Sequence, residues 1–525
     1  MPYTYPEGCV FSTLEEIKGK HITVMGLGLN GGGEACVRFF LKHGAYVLAT
    51  DMKSAEQLKP TIDSLSKDKT LDLSRLTYVL GQHRIEDFKN ADCVIKNPGV
   101  KIEGNQYLSQ SKAIETDISI FLHFTKAPII AVTGSKGKSS TVSAIHYGLI
   151  QCGFKAFLGG NITVSPLTFL EKTDGTTPVV LELSSWQLAD LRGRKALKPK
   201  IAVITKIVPD HQNWYHAMDP YVEDKKLIYK DQDENDWTIL DSDPDDYIQE
   251  SLHPLPRIES WGDLFASETK AHVLRYSKKE LQEGMYGVYQ KQNKDGITEG
   301  FAHLPPSLLK NNEPSHCDEL LMSSLKVPGE HMKTNVLNAA LVLRIMGVNP
   351  EEAKNVLSQW PGIEHRLEHF YEWSDPSQKI KAHFYNDSCA TVPEAAAAAS
   401  QSFSKKTILI TGGTDKGLDF SFLADTLASK NGEKECRKIY LLSGSGTDKL
   451  KKLLDQNKTE YEGPFESLES LLESLKNDLL KLAKTEKKAE EIPVVFSPGA
   501  TSFGMFTNEF DRGNKFKSFT KAIFK

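Results

Sequence analysis

The chain has 525 residues, more than one hydrophobic core usually organises, so we expect about three domains. The net charge is −5 with 25% charged residues, which gives no basis for nucleic-acid or membrane-surface binding. No apolar stretch approaches the ~20 residues of a transmembrane helix, the first residues lack a signal-peptide pattern, and the seven cysteines form no CxxC pair. We therefore expect a cytoplasmic protein with reduced thiols that binds neither nucleic acid nor membranes.

The first predicted unit is a strand, a glycine-rich turn, a helix and a second strand. These are, in order, residues 21–25, 26–31, 34–42 and 46–50, with Asp51 after the second strand. The GxGxxG turn and the acidic residue are typical of dinucleotide-binding folds, and taken alone they indicate NAD. Close packing of the helix on the turn explains the glycines equally well, and any nucleotide diphosphate could use the same turn. A second turn, Asn97-Pro98-Gly99 after the strand 93–95, is predicted to form the facing wall.

A phosphate-binding loop is predicted after a later strand. The apolar, β-branched strand 129–132 runs into a tight turn bracketed by Gly134 and Gly137, and Lys138 opens a segment with helical spacing. Such a loop directs backbone N–H groups inward and adds the positive end of a helix, so phosphate is the expected guest. Lys138 would reach the outer phosphates, and a hydroxyl of Ser139 or Ser140 would bind Mg²⁺. The alternative is an ordinary strand-to-helix turn with a surface lysine.

Two further strands end near residues that could meet the phosphate loop. Glu182 follows the strand 178–181, and His211 comes shortly after the strand 201–204. Because ligands collect at the carboxyl edge of an open α/β sheet, Ser139, Glu182 and His211 could converge on one hard cation and its phosphates. Each also has a plain explanation, Glu182 as a helix-start carboxylate and His211 as a capping or core histidine. For an isolated histidine we favour the plain explanation.

Residues 231–326 show weaker periodicity than the segments before them. They contain an acidic run at 241–246 and a polar, proline-containing stretch at 291–313. We expect a mostly solvated insertion with some strands of its own. Regular spacing returns with an apolar helix at 335–343.

The last third of the chain alternates predicted strands with polar loops and should be a separate domain. The predicted strands are 382–385, 407–411, 439–442 and 494–496, and polar loops begin at Asn386, Gly412, Ser443 and Ser497. Because loops that follow parallel strands lie at one edge of the sheet, that edge should face a small, polar ligand.

The order of these motifs resembles the Mur ligase family, ATP-dependent enzymes that add amino acids to the nucleotide precursor of the bacterial cell wall. The stretch TGSKGKSS at 133–140 is similar to its phosphate loop, Glu182 and Asp210-His211 to its metal-binding stretches, and 221–225 to its YxxxK helix. Five stretches resemble the member that adds D-glutamate: the turn at Gly26, LELSSWQL at 181–188, Asn386-Asp387-Ser388, 412–417 and 497–513.

The resemblance implies an α/β fold of three domains. These are a Rossmann-like N-terminal domain at 1–116 for the UDP substrate, a central P-loop ATPase-like parallel-sheet domain at 117–363 for ATP, carrying the insertion, and a C-terminal Rossmann-like domain at 364–525 for the amino acid. It also implies a monomer that uses ATP, a pair of Mg²⁺ ions, D-glutamate and UDP-N-acetylmuramoyl-L-alanine. The amide would form through an acyl phosphate.

The matching positions imply residues for each part of the site. The catalytic set is Lys138, His211, Asn161 and Lys225, the last bearing a carbamate formed from CO₂. ATP would be held by Gly134, Ser135, Lys136, Gly137, Lys138, Ser139, Ser140, Asn335, Arg366 and Asp387, and metal by Ser139, Glu182, His211 and Lys225. The UDP substrate would contact Leu29, Asn30, Gly31, Asp51, Asn97, Pro98, Gly99, Asn161, Ser184 and Gln187. D-glutamate would contact Lys416, Thr501 and Ser502.

The chain departs from the family pattern at Cys389, where a lysine is common, and at Gly504, where an aspartate is usual. Asn335 is also spaced differently from the usual His–Asn pair. Two alternatives stay open: a related ligase that adds another amino acid or builds folate polyglutamate, and a nucleotide-binding regulator whose ATP loop only switches conformation. The N-terminal GxGxxG unit argues against the folate branch, which lacks a separate nucleotide-substrate domain.

Overall fold

The computed structural model describes residues 2–162, 164–245, 248, 258–309, 318–428, 435–486 and 488–525, so parts of the segment 231–326 lie outside the described residues. The chain divides into two compact units, the first formed by Met1–Ser323 and Thr334–Leu357 and the second by Ser324–Lys333 and Ser358–Lys525. Within the described ranges, no helix has both the length and the apolar character needed to cross a membrane. Short 3₁₀ helices lie at Leu14–Ile17, Leu73–Arg75, Leu108–Gln110, Pro166–Thr168, Leu170–Lys172 and Pro306–Leu308.

The first sheet belongs to the first unit. Its strands are β1 (His21–Met25), β2 (Tyr46–Asp51), β3 (Leu76–Leu80), β4 (Cys93–Lys96) and β5 (Ile114–Glu115). They are parallel in the order β3-β2-β1-β4-β5, and the accompanying helices are Gly32–Lys42, Lys59–Lys67, Ile85–Lys89 and Asp117–Phe124. A Cβ at Gly33 would lie 2.2 Å from the Gly26 carbonyl oxygen, so the first helix can pack on its turn only with glycine there. The predicted strand–helix–strand unit is confirmed.

The second sheet also belongs to the first unit. Its strands are β6 (Ile129–Thr133), β7 (Phe157–Gly160), β8 (Val179–Glu182), β9 (Ile201–Ile204), β10 (Trp237–Asp241), β11 (His272–Ser277), β12 (Gly287–Gln292), β13 (Thr298–His303) and β14 (Glu319–Met322). The order is β14-β13-β12-β11-β10-β9-β6-β8-β7, parallel from β7 to β12 and antiparallel for the last two pairs. Every residue of β6 is buried, as its apolar, β-branched sequence predicts for an inner parallel strand.

Seven described helices accompany this sheet: Lys138–Gln151, Ser185–Ala189, Gln212–Tyr215, Met218–Lys226, Trp261–Glu268, Glu330–Ile345 and Pro350–Ser358. The helix predicted from residue 221 therefore begins one turn earlier, at Met218.

For the segment 231–326, the predicted strands are confirmed in the described part, but they belong to the second sheet instead of to a separate insertion. Strands β10, β11 and β12 continue the parallel order of the second sheet. Their side chains Leu240, Leu274 and Val288 are completely buried. The apolar runs are short and separated by polar loops, and this spacing weakens the periodicity although the strands lie in the core.

The second unit contains a third sheet. Its strands are β15 (Glu368–Ser374), β16 (Ile380–Asn386), β17 (Ile408–Thr411), β18 (Lys438–Leu442), β19 (Glu462–Phe465) and β20 (Glu490–Phe496). The order is β15-β16-β20-β17-β18-β19, with only β15 and β16 antiparallel among these pairs. The helices are Pro393–Ser400, Ser421–Leu427, Ser445–Gln456, Leu468–Thr485 and Glu509–Ile523. Neighbouring residues Leu409 and Ile410 belong to separate apolar clusters, because successive side chains of a strand point to opposite faces.

Each sheet lies within one of the three predicted ranges, 1–116, 117–363 and 364–525. The first two sheets belong to the same compact unit, so the predicted boundary near residue 116 stays a prediction.

Candidate active site

The loop after β6 has the backbone conformation predicted for phosphate binding. Gly137 precedes the helix Lys138–Gln151 with φ 97°, in the left-handed region that favours glycine. A Cβ at Gly134 would lie 2.0 Å from Thr205 Oγ1, and one at Gly137 would lie 2.5 Å from Asn335 Oδ1. Both glycines are therefore required by close contacts, and they leave the N-terminal amides of the helix available to an anion.

Two backbone N–H groups of the loop, which were expected to face a phosphate, are hydrogen-bonded within the chain. The N–H groups of Ser135 and Lys136 both donate to the carbonyl oxygen of Lys206, at 2.9 and 3.2 Å. Anion binding by backbone N–H groups therefore falls to the start of the helix, where Ser139 is half-buried and Ser140 is buried. A contact with a residue so distant in the chain has no local sequence signal.

Two lysines converge on the same loop. Lys138 Nζ donates to the carbonyl oxygens of Gly134 and Ser135, both at 3.0 Å. Lys225 Nζ donates to the same Gly134 oxygen at 2.8 Å and is almost fully buried. Burial lowers the pKa of Lys225 well below its usual range, and the nearby Lys138 lowers that pKa further. Two amines on one carbonyl oxygen form a site that an anionic group would stabilise.

Glu182 supplies a buried carboxylate at the end of β8. Its side chain is 1% exposed, and its Oε1 accepts a hydrogen bond from Asn161 Nδ2 at 2.8 Å. Its Oε2 is buried and accepts no hydrogen bond from the described residues. A buried carboxylate oxygen without a partner is unfavourable in a folded chain, and a hard cation would satisfy it. The donor set at this position therefore fits Mg²⁺.

His211 lies at the surface beside this cluster. It adopts φ 52°, is exposed, and its ring centroid lies 4.8 Å from that of Trp186. Its carbonyl oxygen accepts hydrogen bonds from the helix Gln212–Tyr215, so the backbone of His211 caps this helix. The imidazole is not in the core, which leaves it accessible to a ligand.

The same loop is tied to the YxxxK helix. Tyr221 Oη lies 2.9 Å from Ser135 Oγ, and the Lys225 ammonium lies 4.5 Å from the centroid of the Tyr221 ring. Tyr221 therefore positions both the loop and the lysine one helical turn away.

A cavity of about 230 Å³ in the first unit brings together several of the residues predicted for the UDP substrate. Its lining includes Asn30, Asn97, Pro98, Asn161 and Gln187. Asn161 also contacts Glu182, so the cavity adjoins the buried carboxylate. Sequence reasoning missed three polar residues of the lining, Lys96, Asp117 and Ser165. Of these, Asp117 follows the helix-capping residue Thr116. Burial raises the pKa of Asp117.

Other predicted substrate residues have structural contacts of their own. Asp51 accepts hydrogen bonds from the N–H groups of Gly28 and Lys53, both at 2.9 Å, and so stabilises the glycine turn. Ser184 and Gln187 form a capping box at the helix Ser185–Ala189.

The last three residues predicted for the UDP substrate lie in the turns themselves. Leu29 is half exposed, Gly31 precedes the first helix in the left-handed region, and the Gly99 N–H donates to Asn97 Oδ1 at 3.0 Å.

In the second unit, Asp387 is a buried carboxylate in the loop after β16. Its Oδ1 accepts the Leu367 N–H at 3.1 Å and its Oδ2 accepts the Ser497 hydroxyl at 2.6 Å. Burial raises the pKa of Asp387 to about 7, although the hydrogen bonds and the positive charges of Arg366 and Arg512 act in the opposite direction.

The raised pKa of Asp387 predicts a pH-dependent stability. The folded chain holds this proton more tightly, so the contribution is fully present below the ordinary value of 3.8 and is lost as the pH rises through about 7. We expect Asp387→Asn, relative to the parent, to gain roughly 2–3 kcal/mol of unfolding free energy between pH 5 and pH 8. Urea unfolding at both pH values measures this, with the exposed Asp425→Asn as control. An equal difference at the two pH values would contradict the assignment.

The loops predicted for D-glutamate meet around Arg512, which sequence reasoning did not select. The Arg512 guanidinium is buried and donates to the carbonyl oxygens of Ala500 and Ser388, at 2.9 and 2.7 Å. Thr501 and Ser502 are buried, and the Thr501 hydroxyl donates to the Thr414 carbonyl oxygen at 2.9 Å. This hydroxyl can therefore still accept a hydrogen bond but its donor is engaged.

Lys416 is exposed in the same region, and Gly504 has φ 95°. Arg512 has helical spacing with Phe516 and Thr520, which lie on the buried face of the same helix, so a charged residue in line with an apolar helix face is the signal that could have selected it.

Comparison with known proteins identifies the family. Residues 20–120 match the Mur ligase MurD-like N-terminal domain, and residues 132–343 match the Mur ligase middle domain. The UDP-N-acetylmuramoylalanine--D-glutamate ligase of Treponema pallidum is 37% identical over 97% of this chain and 99% of its own length. The chain belongs to the Mur ligase family. The ligase of the same name from Borreliella burgdorferi is 36% identical, again over 97% of this chain and 99% of its own.

Solved structures agree with the fold of this Mur ligase. UDP-N-acetylmuramate-alanine ligase of Thermotoga maritima is 16% identical, with a TM-score of 0.51 over 96% of this chain and 99% of its own. MurF of Acinetobacter baumannii is 15% identical, with a TM-score of 0.52 over 84% of this chain and 93% of its own. At these identities the likeness concerns the fold alone, and it confirms the predicted α/β class.

In this Mur ligase, sequence reasoning selected the residues that form the phosphate loop and its buried surroundings. The structure brings Lys138 and Lys225 together on one carbonyl oxygen and places Glu182 in electrostatic contact with both. Glu182 and His211 do not belong to a preformed three-ligand cluster of histidine, cysteine or carboxylate side chains among the described residues. Mg²⁺ does not require one, because it usually retains waters and substrate phosphates as ligands.

Proposed function

We propose that this Mur ligase is an ATP-dependent amide ligase that joins D-glutamate to UDP-N-acetylmuramoyl-L-alanine. The observation that carries the chemistry is the cluster of Lys138, Lys225 and Glu182 around the phosphate loop. The choice of these two substrates is supported by similarity, over nearly the whole chain, to relatives named UDP-N-acetylmuramoylalanine--D-glutamate ligase. The N-terminal glycine turn then serves a UDP-linked substrate instead of NAD, and its match to a Mur ligase domain supports this.

A carboxylate is a poor acylating agent, so the reaction begins with activation. The carboxylate oxygen of the UDP-linked substrate attacks the γ-phosphorus of ATP, ADP leaves, and an acyl phosphate forms. Lys138 releases the two loop carbonyls and neutralises the charge of the transferring phosphoryl group, assisted by the N-terminus of its helix.

The amide then forms by attack of the glutamate amine on the acyl carbon. The bond between that carbon and the phosphate oxygen breaks, phosphate leaves, and the amine loses a proton. The chain's own contribution at this stage is to hold the two substrates and exclude water, which would otherwise hydrolyse the acyl phosphate.

A magnesium site is proposed at Glu182, Ser139 and His211, which would contribute a carboxylate, a hydroxyl and an imidazole. The buried Oε2 of Glu182 supports this position because it has no hydrogen-bond partner among the described residues. When bound, Mg²⁺ supplies positive charge that stabilises phosphate oxygens. Asn161 orients Glu182 through its 2.8 Å hydrogen bond and leaves the second oxygen for the cation.

Part of the UDP substrate is proposed to occupy the 230 Å³ cavity, which is too small for the whole sugar nucleotide. Its amide side chains, from Asn30, Asn97, Asn161 and Gln187, both donate and accept hydrogen bonds, which suits a sugar nucleotide rich in hydroxyls and carbonyls. In the second unit, the exposed amine of Lys416 and the Ser502 hydroxyl suit the carboxylates of glutamate. The N–H and the hydroxyl of Thr501 both donate to the Thr414 carbonyl oxygen, so Thr501 is proposed to position this loop.

Lys225 is proposed to carry a carbamate. Its amine is buried and burial lowers its pKa, which increases the share of the neutral amine, the form that attacks CO₂. Addition of CO₂ forms an N–C bond and releases a proton, which leaves an anionic oxygen ligand in place of a second cation beside Lys138. Asn335, Arg366 and Asp387 remain proposed ATP contacts.

The carbamate predicts a carbon NMR signal. With ¹³C-labelled bicarbonate, we expect one protein carbamate resonance that Lys225→Arg lacks. The neighbouring Lys226→Arg is the matched control, since Lys226 pairs with Glu223 and Glu268 at 2.7 and 2.8 Å instead of contacting the loop. Full activity in CO₂-free buffer with no such resonance would refute the proposal.

Amino-acid selectivity tests the proposed function. The purified chain is offered D-glutamate, L-glutamate, L-alanine, L-lysine and meso-diaminopimelate, each with ATP and UDP-N-acetylmuramoyl-L-alanine. We expect a new amide product only with D-glutamate. A preference for another amino acid would overturn the substrate assignment while leaving the ligase chemistry intact.

A further inference from the structure

A cluster of two histidines and a glutamate lies on the antiparallel strand pair of the second unit. His369 and Glu372 are on β15, and His383 is on β16. His383 Nδ1 lies 3.4 Å from His369 Nε2 and 3.5 Å from Glu372 Oε1, and the latter two atoms are 3.7 Å apart. Three ligand-type atoms therefore face one another at the corners of a nearly regular triangle.

An irregularity in β15 creates this arrangement. In a regular strand, residues three apart point to opposite faces. The register shifts between His369 and Tyr371, so that His369 pairs with Tyr385 whereas Glu372 pairs with His383. This bulge turns His369 and Glu372 to the same face, where His383 of the neighbouring strand meets them.

Hydrogen bonding does not account for the triangle. Glu372 Oε1 lies beyond hydrogen-bond distance of both rings, and the two ring nitrogens are at the long end of that range. Ligands bound at the usual zinc distances of about 2.0–2.2 Å in a tetrahedral site are about 3.3–3.6 Å apart. The observed triangle matches one face of such a tetrahedron.

Neighbouring groups hold the three ligands in place. Lys381 Nζ binds Glu372 Oε2 at 2.8 Å, which directs Oε1 toward the histidines. His383 Nε2 is buried without a hydrogen-bond partner among the described residues and lies 4.0 Å from Glu491 Oε1. A carboxylate behind the far nitrogen of a ligating histidine is a frequent feature of metal sites.

We propose that His369 Nε2, His383 Nδ1 and Glu372 Oε1 bind a divalent transition-metal ion of the zinc class, with water in the fourth position. The three side chains line a cavity of about 510 Å³, so the fourth position is reachable by solvent. Imidazole ligands favour Zn²⁺ over Mg²⁺, which distinguishes this site from the oxygen-rich site proposed at Glu182. The ion would join β15 to β16 and stabilise the second unit.

Cobalt titration tests the proposal, because tetrahedral Co²⁺ absorbs visible light strongly and reports the geometry of a zinc site. The full-length chain, first stripped of metal with a chelator, is titrated with Co²⁺ and, by calorimetry, with Zn²⁺. We expect one tetrahedral Co²⁺ ion to bind per chain. The metal affinity should be at least about 10²-fold weaker in His369→Gln and His383→Gln. Zn²⁺ should raise the melting temperature of the parent but of neither variant.

Two controls complete the experiment. His303→Gln removes an exposed imidazole that pairs with Asp318 outside the cluster and should bind like the parent. Glu182→Gln should keep the tetrahedral signal, which separates the two proposed metal sites. Should a histidine variant fail to fold by circular dichroism, Glu372→Gln decides, since it leaves both rings in place. The proposal would be overturned if the parent bound no tetrahedral Co²⁺, or if the folded variants bound it as the parent does.

Discussion

Replacing Lys138 by alanine should lower kcat for amide formation by about 10²–10³ while leaving the fold intact. Among the described residues, the hydrogen bonds of the Lys138 amine go to the two loop carbonyls, at 3.0 Å each. Lys138 is the first residue of the helix that follows the phosphate loop. Removing it takes a positive charge from the transferring phosphoryl group. Steady-state phosphate release measures the loss, and circular dichroism checks the fold.

Lys59→Ala is the matched control for this substitution, because it removes a lysine outside the proposed sites. Its side chain is 71% exposed, and its amine lies 3.4 Å from Asp63. We expect less than about a tenfold change, because an exposed pair of this kind contributes little. Near-normal turnover of Lys138→Ala would contradict the assignment of the loop to phosphoryl transfer.

Glu182→Gln should also reduce kcat by about 10² or more and raise the Mg²⁺ concentration needed for half-maximal rate. Glutamine keeps an acceptor for Asn161 but loses the negative charge at the buried, unpartnered oxygen. A Mg²⁺ titration of the reaction rate measures both effects. The exposed Glu171→Gln serves as control, and an unchanged Mg²⁺ dependence in Glu182→Gln would exclude Glu182 as a metal ligand.

Features that depend on local chemistry were predictable from the sequence. Strand β6 is apolar and β-branched because it is buried on both faces, and the glycines after it are required by contacts within 2.5 Å. Glu182 ends its strand at the edge where ligands collect. The resemblance to Mur ligases, now supported by relatives over nearly the whole chain, extended these motifs to individual residues.

Features that depend on distant contacts were not predictable. Lys225 reaches a carbonyl 91 residues away, and the amides of Ser135 and Lys136 are occupied by Lys206. The bulge in strand β15 interrupts the alternation of inward and outward side chains, so the strand has no clear period of two. The contact between His369 and His383 was therefore not predictable from the sequence.

The most direct test of the proposed function is phosphate release by the purified chain with ATP, Mg²⁺, UDP-N-acetylmuramoyl-L-alanine and D-glutamate, omitting each in turn. We predict sustained release, matched by an equal amount of new amide, only in the complete mixture. ATP hydrolysis at the full rate without the carboxylate substrate or the amine, with no amide formed, would contradict the account and favour a nucleotide-driven switch.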